Sequence, residues 1–339
     1  MNGLAAVFTA PGSMELVERG VRDEPGALIR VSACGVCGTD RRVWRHWTPR
    51  IREPRVLGHE TAGVVLRSDD QSVARKGQRV VLAPPAIPCG CCRSCRRGMS
   101  NLCERRTSFG FELDGGFAEY VHVPLELLGR AAPVPIPDDV SDGLATLAEP
   151  LAAVVNGRAM LAVEPGDWVV IFGGGFIGRM FAQLATIDCG QVVLADVDER
   201  RLAATPEIAH RLNPGRPSFV EEVTEITGGR VDAIVIACSA VAAHDQAAAV
   251  AAAGGLRVLL FASLPVESSA WQPNLIHFRE LTVFGAFSAR RSHVVDALEL
   301  IGSGALPLEK LVEYRPLVEL EEVLNADPGD VAPKVVMTA

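Results

Sequence analysis

Between Ala5 and Val140 the apolar positions come in short stretches, among them Leu28-Ile29-Arg30-Val31, Gly63-Val64-Val65-Leu66 and Arg79-Val80-Val81-Leu82, separated by Gly, Pro and Asp. That texture predicts an irregular, mostly β segment. It changes after Ser141. Pro150 is followed by Leu151, Val154, Val155 and Arg158, the spacing of a helix with proline in its first turn. Trp168-Val169-Val170-Ile171-Phe172 is then a continuous apolar run ending at Gly173, and Ile177, Met180, Phe181, Leu184 and Ala185 follow at helical spacing. Strand, glycine turn and helix are predicted in that order. Further buried-strand patterns occur at Val192–Ala195, Ala233–Ile236, Leu256–Phe261 and Leu281–Phe284, with alanine-rich helical stretches between several of them. Strands alternating with helices imply a doubly wound parallel sheet. From about Ala289 an amphipathic helix through Val294, Val295, Leu298 and Ile301 precedes a strand-like Lys334-Val335-Val336-Met337.

With 339 residues the chain is long enough for two domains with large cores. Apolar residues make up 48% and charged residues 22%, a globular balance. The 41 acidic and 33 basic side chains leave a formal net charge of -8, which repels a polyphosphate and argues against nucleic acid as partner. The N-terminus lacks the basic start and apolar core of a secretory signal, and every apolar run is broken short of a membrane span. A cytoplasmic protein with no membrane partner is expected. Of nine cysteines, Cys89, Cys91, Cys92, Cys95 and Cys103 share one window and Cys34 and Cys37 form a separate pair, an odd, clustered set that suggests metal binding over disulfides.

The turn Gly173-Gly174-Gly175-Phe176-Ile177-Gly178 is a G-x-G-x-x-G directly after a predicted strand and at the start of a helix. Gly173 permits the tight turn, Gly175 lets backbone approach a pyrophosphate, and Gly178 allows close helix packing, with the helix N-terminus attracting the negative charge. Phe176, Ile177 and Arg201 belong to the same predicted cofactor site. The next strand ends at Asp196, near the distance expected for the acid that holds the adenosine ribose hydroxyls. That carboxylate should repel a 2'-phosphate, so NAD is expected and NADP less so, although the guanidinium groups of Arg200 and Arg201 could offset the repulsion.

Cys89, Cys92, Cys95 and Cys103 form C-x-x-C-x-x-C followed by a fourth cysteine, on a loop rich in Gly, Pro and Arg. Four thiolates satisfy tetrahedral zinc completely, which makes this a structural site. A nucleic-acid-binding zinc ribbon, suggested by the arginines of that loop, is disfavoured by the acidic chain and the dinucleotide turn. Cys91 is a spare thiol. Cys37, His59, Glu60 and Glu149 suggest a second kind of site, with three protein ligands and one open position, as catalysis requires. Their spacing alone leaves an ordinary buried cysteine and ordinary acids equally open.

Gly35-Val36-Cys37-Gly38-Thr39-Asp40, Gly58-His59-Glu60, the four-cysteine loop, Asp114-Gly115-Gly116-Phe117-Ala118-Glu119-Tyr120, Glu149-Pro150-Leu151-Ala152 and the dinucleotide turn occur in one order along nearly the whole chain. In this the sequence resembles the zinc-dependent medium-chain dehydrogenases, specifically their polyol, sorbitol and threonine dehydrogenase-like branch. The resemblance implies an α/β chain in three stretches: a GroES-like, mostly β catalytic domain over 1–150, with the structural zinc loop at 89–103, a Rossmann domain over 151–288, and the C-terminal part of the catalytic domain over 289–339. It implies two zinc ions per chain, one catalytic and one structural, a homo-oligomer (dimer or tetramer), and a small-molecule alcohol or ketone as substrate, a polyol, sugar, cyclitol or amino alcohol, with an aminocyclitol biosynthetic intermediate among the candidates. It further implies Cys37 and His59 as zinc ligands and Glu60 or Glu149 as the remaining ligand or partner of a bound water. Thr39 matches the hydroxyl that accepts the substrate proton, and Asp40 the acid that orients the histidine.

Arg42 stands where the branch often carries a histidine. His46 lies in an Arg- and Trp-rich stretch read as a loop, where a solvated or packed role outweighs a proton relay, and Trp44, His46 and Trp47 are candidates to shape a polar pocket. His122, His210, His244, His277 and His293 lack ligand spacing and are expected to be structural or exposed. An NADPH-dependent ketone reductase and a noncatalytic dinucleotide sensor are the rival functions.

Overall fold

The structure is a computed structural model and describes residues 1–338 except 22, 53, 132, 265–270 and 328–332. The chain divides into two compact units, one formed by Met1–Ala152 with Ser288–Ala339 and the other by Ala153–Phe287.

In the first unit a seven-stranded sheet runs in the order Val134–Pro135, Arg79–Val81, Glu60–Ser68, Gly26–Gly35, Lys334–Thr338 and Val312–Pro316, with Tyr120–Pro124 also paired to Gly26–Gly35. Ile29, Val31, Val65, Val80, Val121 and Val123 pack into one core, and Phe8, Val36, Trp44, Ile51, Leu57 and Phe117 into another. Each fully buried side chain of this size contributes about 1.5–3 kcal/mol of transfer free energy. A separate three-stranded sheet runs in the order Ser13–Gly20, Asn2–Ala10 and Arg55–Val56, and its outer strand Ser13–Gly20 carries the exposed Glu15 and Glu18, which discourages further strand addition. Register matters for function here: Gly35 lies opposite Glu60 on one side and Val336 on the other.

The second unit is built on a six-stranded parallel sheet in the order His210–Leu212, Gln191–Ala195, Trp168–Phe172, Val231–Ile236, Gly255–Leu260 and Thr282–Gly285. The order reverses between Trp168–Phe172 and Val231–Ile236, and in doubly wound sheets ligands bind at such a switch point, beyond the carboxyl ends of the strands. Every residue of Val231–Ile236 is buried, as a central parallel strand demands. Asp232 is the polar member of that strand, and it accepts the Trp168 backbone N–H at 2.8 Å, fixing the neighbouring strand.

Two local readings change. The Arg- and Trp-rich stretch is not a loop: Gly38–His46 is a helix with Asp40, Val43 and Trp44 buried. Trp44 is 2% exposed, lies edge-on to Phe8 and donates from Nε1 to Asn325 Oδ1 at 2.8 Å, so it belongs to the core and not to a pocket wall. His46, Trp47 and Arg42 are exposed. Among the described residues no helix is long and apolar enough to cross a membrane.

Candidate functional site

The helix Gly38–His46 and the strand Glu60–Ser68 deliver the first cluster. Cys37 caps the helix, with Thr39 half-buried and Asp40 buried in its first turn, while His59 and Glu60 sit at the start of the strand. Asp40 Oδ2 accepts the Cys37 backbone N–H at 2.9 Å, and Oδ1 lies 3.3 Å from His59 Nδ1. One carboxylate therefore braces the helix start and faces the imidazole. Ligand atoms of Cys37, His59 and Glu60 fall within 4.8 Å of one another. Glu149, in the first turn of the helix Ala148–Leu161, is outside that trio but close enough to feel its charges.

The electrostatics of the cluster are those of a site short of positive charge. Loss of solvent pushes the Glu149 carboxyl up to about 7; His59 opposes this and Glu60 adds to it. Burial would lower His59, yet Asp40 and Cys37 outweigh it and hold the imidazole well above its ordinary value. Burial likewise works against the charge on Lys334, and Glu60 followed by Cys37 reverses the effect. Glu60 Oε1 is buried with no hydrogen-bond partner among the described residues. A half-buried thiol gathered with a buried imidazole and a buried carboxylate that has an orphaned oxygen is the donor set of a zinc ion with one position left over.

The four-cysteine loop forms a second cluster. Cys92 Sγ lies 3.4 Å from Cys95 Sγ and 3.8 Å from Cys103 Sγ, and all four sulfurs of Cys89, Cys92, Cys95 and Cys103 fall within 4.8 Å of one another. A tetrahedral ion with bonds of about 2.3 Å sets its sulfurs about 3.8 Å apart, so the cage has the right size. Backbone N–H groups of Cys91 and then Cys92 draw Cys89 down to about 5, while burial and the neighbouring Cys92 push Cys95 up to about 12. Four sulfurs this close cannot all carry charge without a cation. Cys91 stands outside the cage, exposed, and accepts from Arg105 Nη2 at 3.1 Å.

In the other unit the glycine turn follows Trp168–Phe172 and opens the helix Phe176–Asp188. Gly173 has φ +108, and a Cβ at Gly178 would overlap the Gly173 carbonyl, so both positions need glycine. At Gly175 a Cβ would meet nothing within 4 Å, which leaves room for a ligand against the backbone. Phe176 is buried and Ile177 half-buried behind it. Asp196, 6% exposed, accepts Gly174 N–H at 2.6 Å and Asp198 N–H at 2.8 Å, and Arg201 Nη1 is 3.5 Å from its Oδ2. Arg201 also lies 3.9 Å from Asp198, so two carboxylates offset its charge.

Three residues of these sites carry no motif signal. Lys334 is buried and pairs with Glu60. Arg179 is buried in the helix after the glycine turn and donates to the carbonyls of Gly174, Arg201 and Ala204, tying the turn to its surroundings. Cys238 lies against Gly173. A charged residue within an apolar stretch was the available cue for the first two. Among the remaining histidines, His244 and His293 are buried and His293 Nε2 is 2.9 Å from Arg290 Nη2, a structural arrangement. A cavity of about 320 Å³ bounded by Leu4, Arg19, Arg55, Asp114 and Tyr120 contains none of the candidate ligands.

Comparison with known proteins matches residues 23–136 to the alcohol dehydrogenase GroES-like domain and residues 177–303 to the zinc-binding dehydrogenase domain. D-altritol 5-dehydrogenase of Agrobacterium fabrum is 31% identical over 99% of both chains. L-threonine 3-dehydrogenase of Pyrococcus horikoshii is 31% identical over 98% of this chain and 97% of its own. A solved structure classed as a zinc-binding dehydrogenase from Sinorhizobium meliloti 1021, bound to NADP, superposes with a TM-score of 0.89 at 28% identity over all of both chains. The chain belongs to the zinc-dependent medium-chain dehydrogenases and is an alcohol oxidoreductase of that family.

Proposed function

We propose that the protein transfers a hydride between NAD(H) and a secondary alcohol or ketone of the polyol or sugar class, with Cys37, His59 and Glu60 holding a catalytic zinc. The observation that carries this is the convergence of those three ligand atoms within 4.8 Å, with His59 and Glu60 buried and Cys37 half-buried. When bound, the zinc supplies Lewis acidity toward the substrate oxygen and the nicotinamide supplies the hydride acceptor. The chain's own residues do the rest. Asp40 keeps the His59 ring in one orientation through Nδ1 and braces the Cys37 backbone, so the ligands are set before substrate arrives. The Thr39 hydroxyl, two residues after Cys37 on the same helix, takes the substrate proton and passes it to solvent. Glu149, which lies outside the trio of ligand atoms within 4.8 Å of one another, serves as a partner for water at the site and not as the third ligand. Cys89, Cys92, Cys95 and Cys103 hold a second, structural ion.

NAD is favoured because Asp196 presents a carboxylate, fixed by two backbone N–H groups, that would repel a 2'-phosphate. The competing reading is NADP. It is supported by the NADP-bound Sinorhizobium relative and by Arg200 and Arg201, although Arg200 is paired with Asp198 and Arg201 lies between two acids. The polyol class follows the altritol, sorbitol and galactonate dehydrogenases among the relatives. Nine unpaired cysteines fit a reducing cytoplasm, where we place the protein as a homo-oligomer.

The test is a coenzyme-reduction screen over polyols, sugar acids, aminocyclitols, amino acids and simple secondary alcohols, run with NAD and NADP and repeated with Cys37→Ser. Turnover of a polyol that Cys37→Ser abolishes, with one of two bound zinc ions lost and the fold intact, is the expected result. Near-normal turnover in that variant would overturn the assignment.

A further inference from the structure

Lys334 opens the last strand of the chain, and its side chain is as buried as those of His59 and Glu60, at 4% exposure. Its ammonium does two things at once. It pairs with Glu60 Oε2, and it donates to the Val36 carbonyl at 3.0 Å, one residue before Cys37. Backbone pairing reinforces the second link, because Val36 N–H donates to the Val335 carbonyl at 2.9 Å. Two of the three candidate ligands, delivered by separate elements, are thus tied to one cation that comes from a third. Glu60 is left with a divided carboxylate: Oε2 is taken by the ammonium and Oε1 has no hydrogen-bond partner among the described residues.

Gly35 supplies the space for this arrangement. A Cβ there would overlap Glu60 Oε2 and come within 3.0 Å of Lys334 Cε and 3.2 Å of Glu60 Cβ. The register that sets Gly35 opposite Glu60 on one side and Val336 on the other therefore opens a slot sized for the carboxylate and ammonium.

We propose that Lys334 is a positioning residue of the metal centre: by holding Glu60 Oε2 and the backbone before Cys37, it turns the other oxygen of Glu60 toward the metal and fixes the spacing of the two ligands. This rests on the reading of Cys37, His59 and Glu60 as the metal ligands. The ammonium keeps one carboxylate oxygen occupied, so Glu60 presents a single donor atom and the remaining coordination position stays free for substrate. Arginine at 334 can preserve the charge and the double contact, whereas methionine keeps the volume and removes both.

The experiment uses the full-length protein loaded with cobalt(II) or zinc. Ions per chain, the cobalt absorption spectrum and the rate at which a chromogenic chelator strips each ion are measured for wild type, Cys37→Ser, Lys334→Met, Lys334→Arg and Gly35→Ala. Cys37→Ser should lower the count from two ions to one and so identify the ion at this site. Lys334→Met should lose that ion roughly tenfold faster or more, the scale of losing a residue that orients a metal ligand. Its cobalt spectrum should change and the four-cysteine ion should stay. Lys334→Arg should keep the wild-type spectrum and retention. If Lys334→Met fails to fold, Gly35→Ala, which keeps every charge and fills the slot, should show the same fast loss and altered spectrum. Wild-type retention with an unchanged spectrum in Lys334→Met, or in Gly35→Ala where only that variant folds, would overturn the positioning role alone. Equal metal content in wild type and Cys37→Ser would instead overturn the ligand assignment, and this inference with it.

Discussion

Asp40 has one carboxylate and two clients. Its Oδ2 receives the Cys37 N–H and its Oδ1 faces His59 Nδ1, so Asp40→Asn, which keeps the shape but replaces one acceptor with a donor, cannot serve both. Metal affinity at the Cys37 site should fall about 10–100-fold, read by chelator competition, with the four-cysteine ion unaffected. Unchanged affinity would show that the imidazole is oriented by something else. Asp196 allows a second measurement at this scale. In Asp196→Ala the fixed negative charge disappears while Arg201 remains, and the preference for NAD over NADP should move by at least a factor of ten, about 1.4 kcal/mol. Binding titrations with both reduced coenzymes read the ratio directly, and a constant ratio would assign discrimination to other residues.

At the scale of elements, the helix Gly38–His46 carries the proposed Thr39 and Asp40 and is held down by Trp44. Trp44→Phe retains most of the packing against Phe8 but loses the bond to Asn325, which should cost about 1 kcal/mol, whereas Trp44→Ala should cost about 3–5 kcal/mol. Denaturant unfolding measures both, and equal losses would mean that the ring is not what anchors the helix. This helix also shows why part of the architecture was illegible. Its sequence, GTDRRVWRH, buries Asp40, Val43 and Trp44 only, so no apolar repeat advertises a helix. Trp168–Asp188 was legible because a five-residue apolar strand, a glycine turn and a helical spacing follow one another without interruption. His210–Leu212, an outer strand of the same sheet, is three residues long with two of them polar, and it gave no signal. The residues at the metal cluster could be named from their motifs, but their convergence depends on strand register that no local pattern encodes. Lys334 illustrates the limit: it read as the polar start of an apolar strand, because its partner Glu60 lies at the other end of the sequence.

For the whole molecule, the two units divide the chemistry between them. Every candidate metal ligand falls within Met1–Ala152, and every residue of the dinucleotide turn within Ala153–Phe287. The second unit has its own core, built from Val170, Phe172, Val193, Phe219, Ile234, Ile236 and Val258, with no metal ligand among them. The four-cysteine loop has little regular structure of its own, a four-residue helix and one 3-10 turn, so an ion held by its thiolates would contribute order that the loop cannot otherwise supply, on the order of 10 kcal/mol of apparent binding free energy. Exhaustive chelation should therefore abolish turnover and loosen the 89–103 loop, detected as faster proteolysis at its arginines. It should leave NADH binding, followed by nicotinamide fluorescence, within about threefold of the holoenzyme, a difference of under 1 kcal/mol. Gly173→Ala makes the reciprocal case. Forcing φ near +108 on alanine costs about 1–3 kcal/mol and brings its Cβ to 3.0 Å from Cys238, so NADH binding should weaken while two zinc ions per chain remain. Loss of NADH binding on chelation, or loss of zinc in Gly173→Ala, would show that the coenzyme and metal sites do not stand independently, and the division of labour between the units would have to be abandoned.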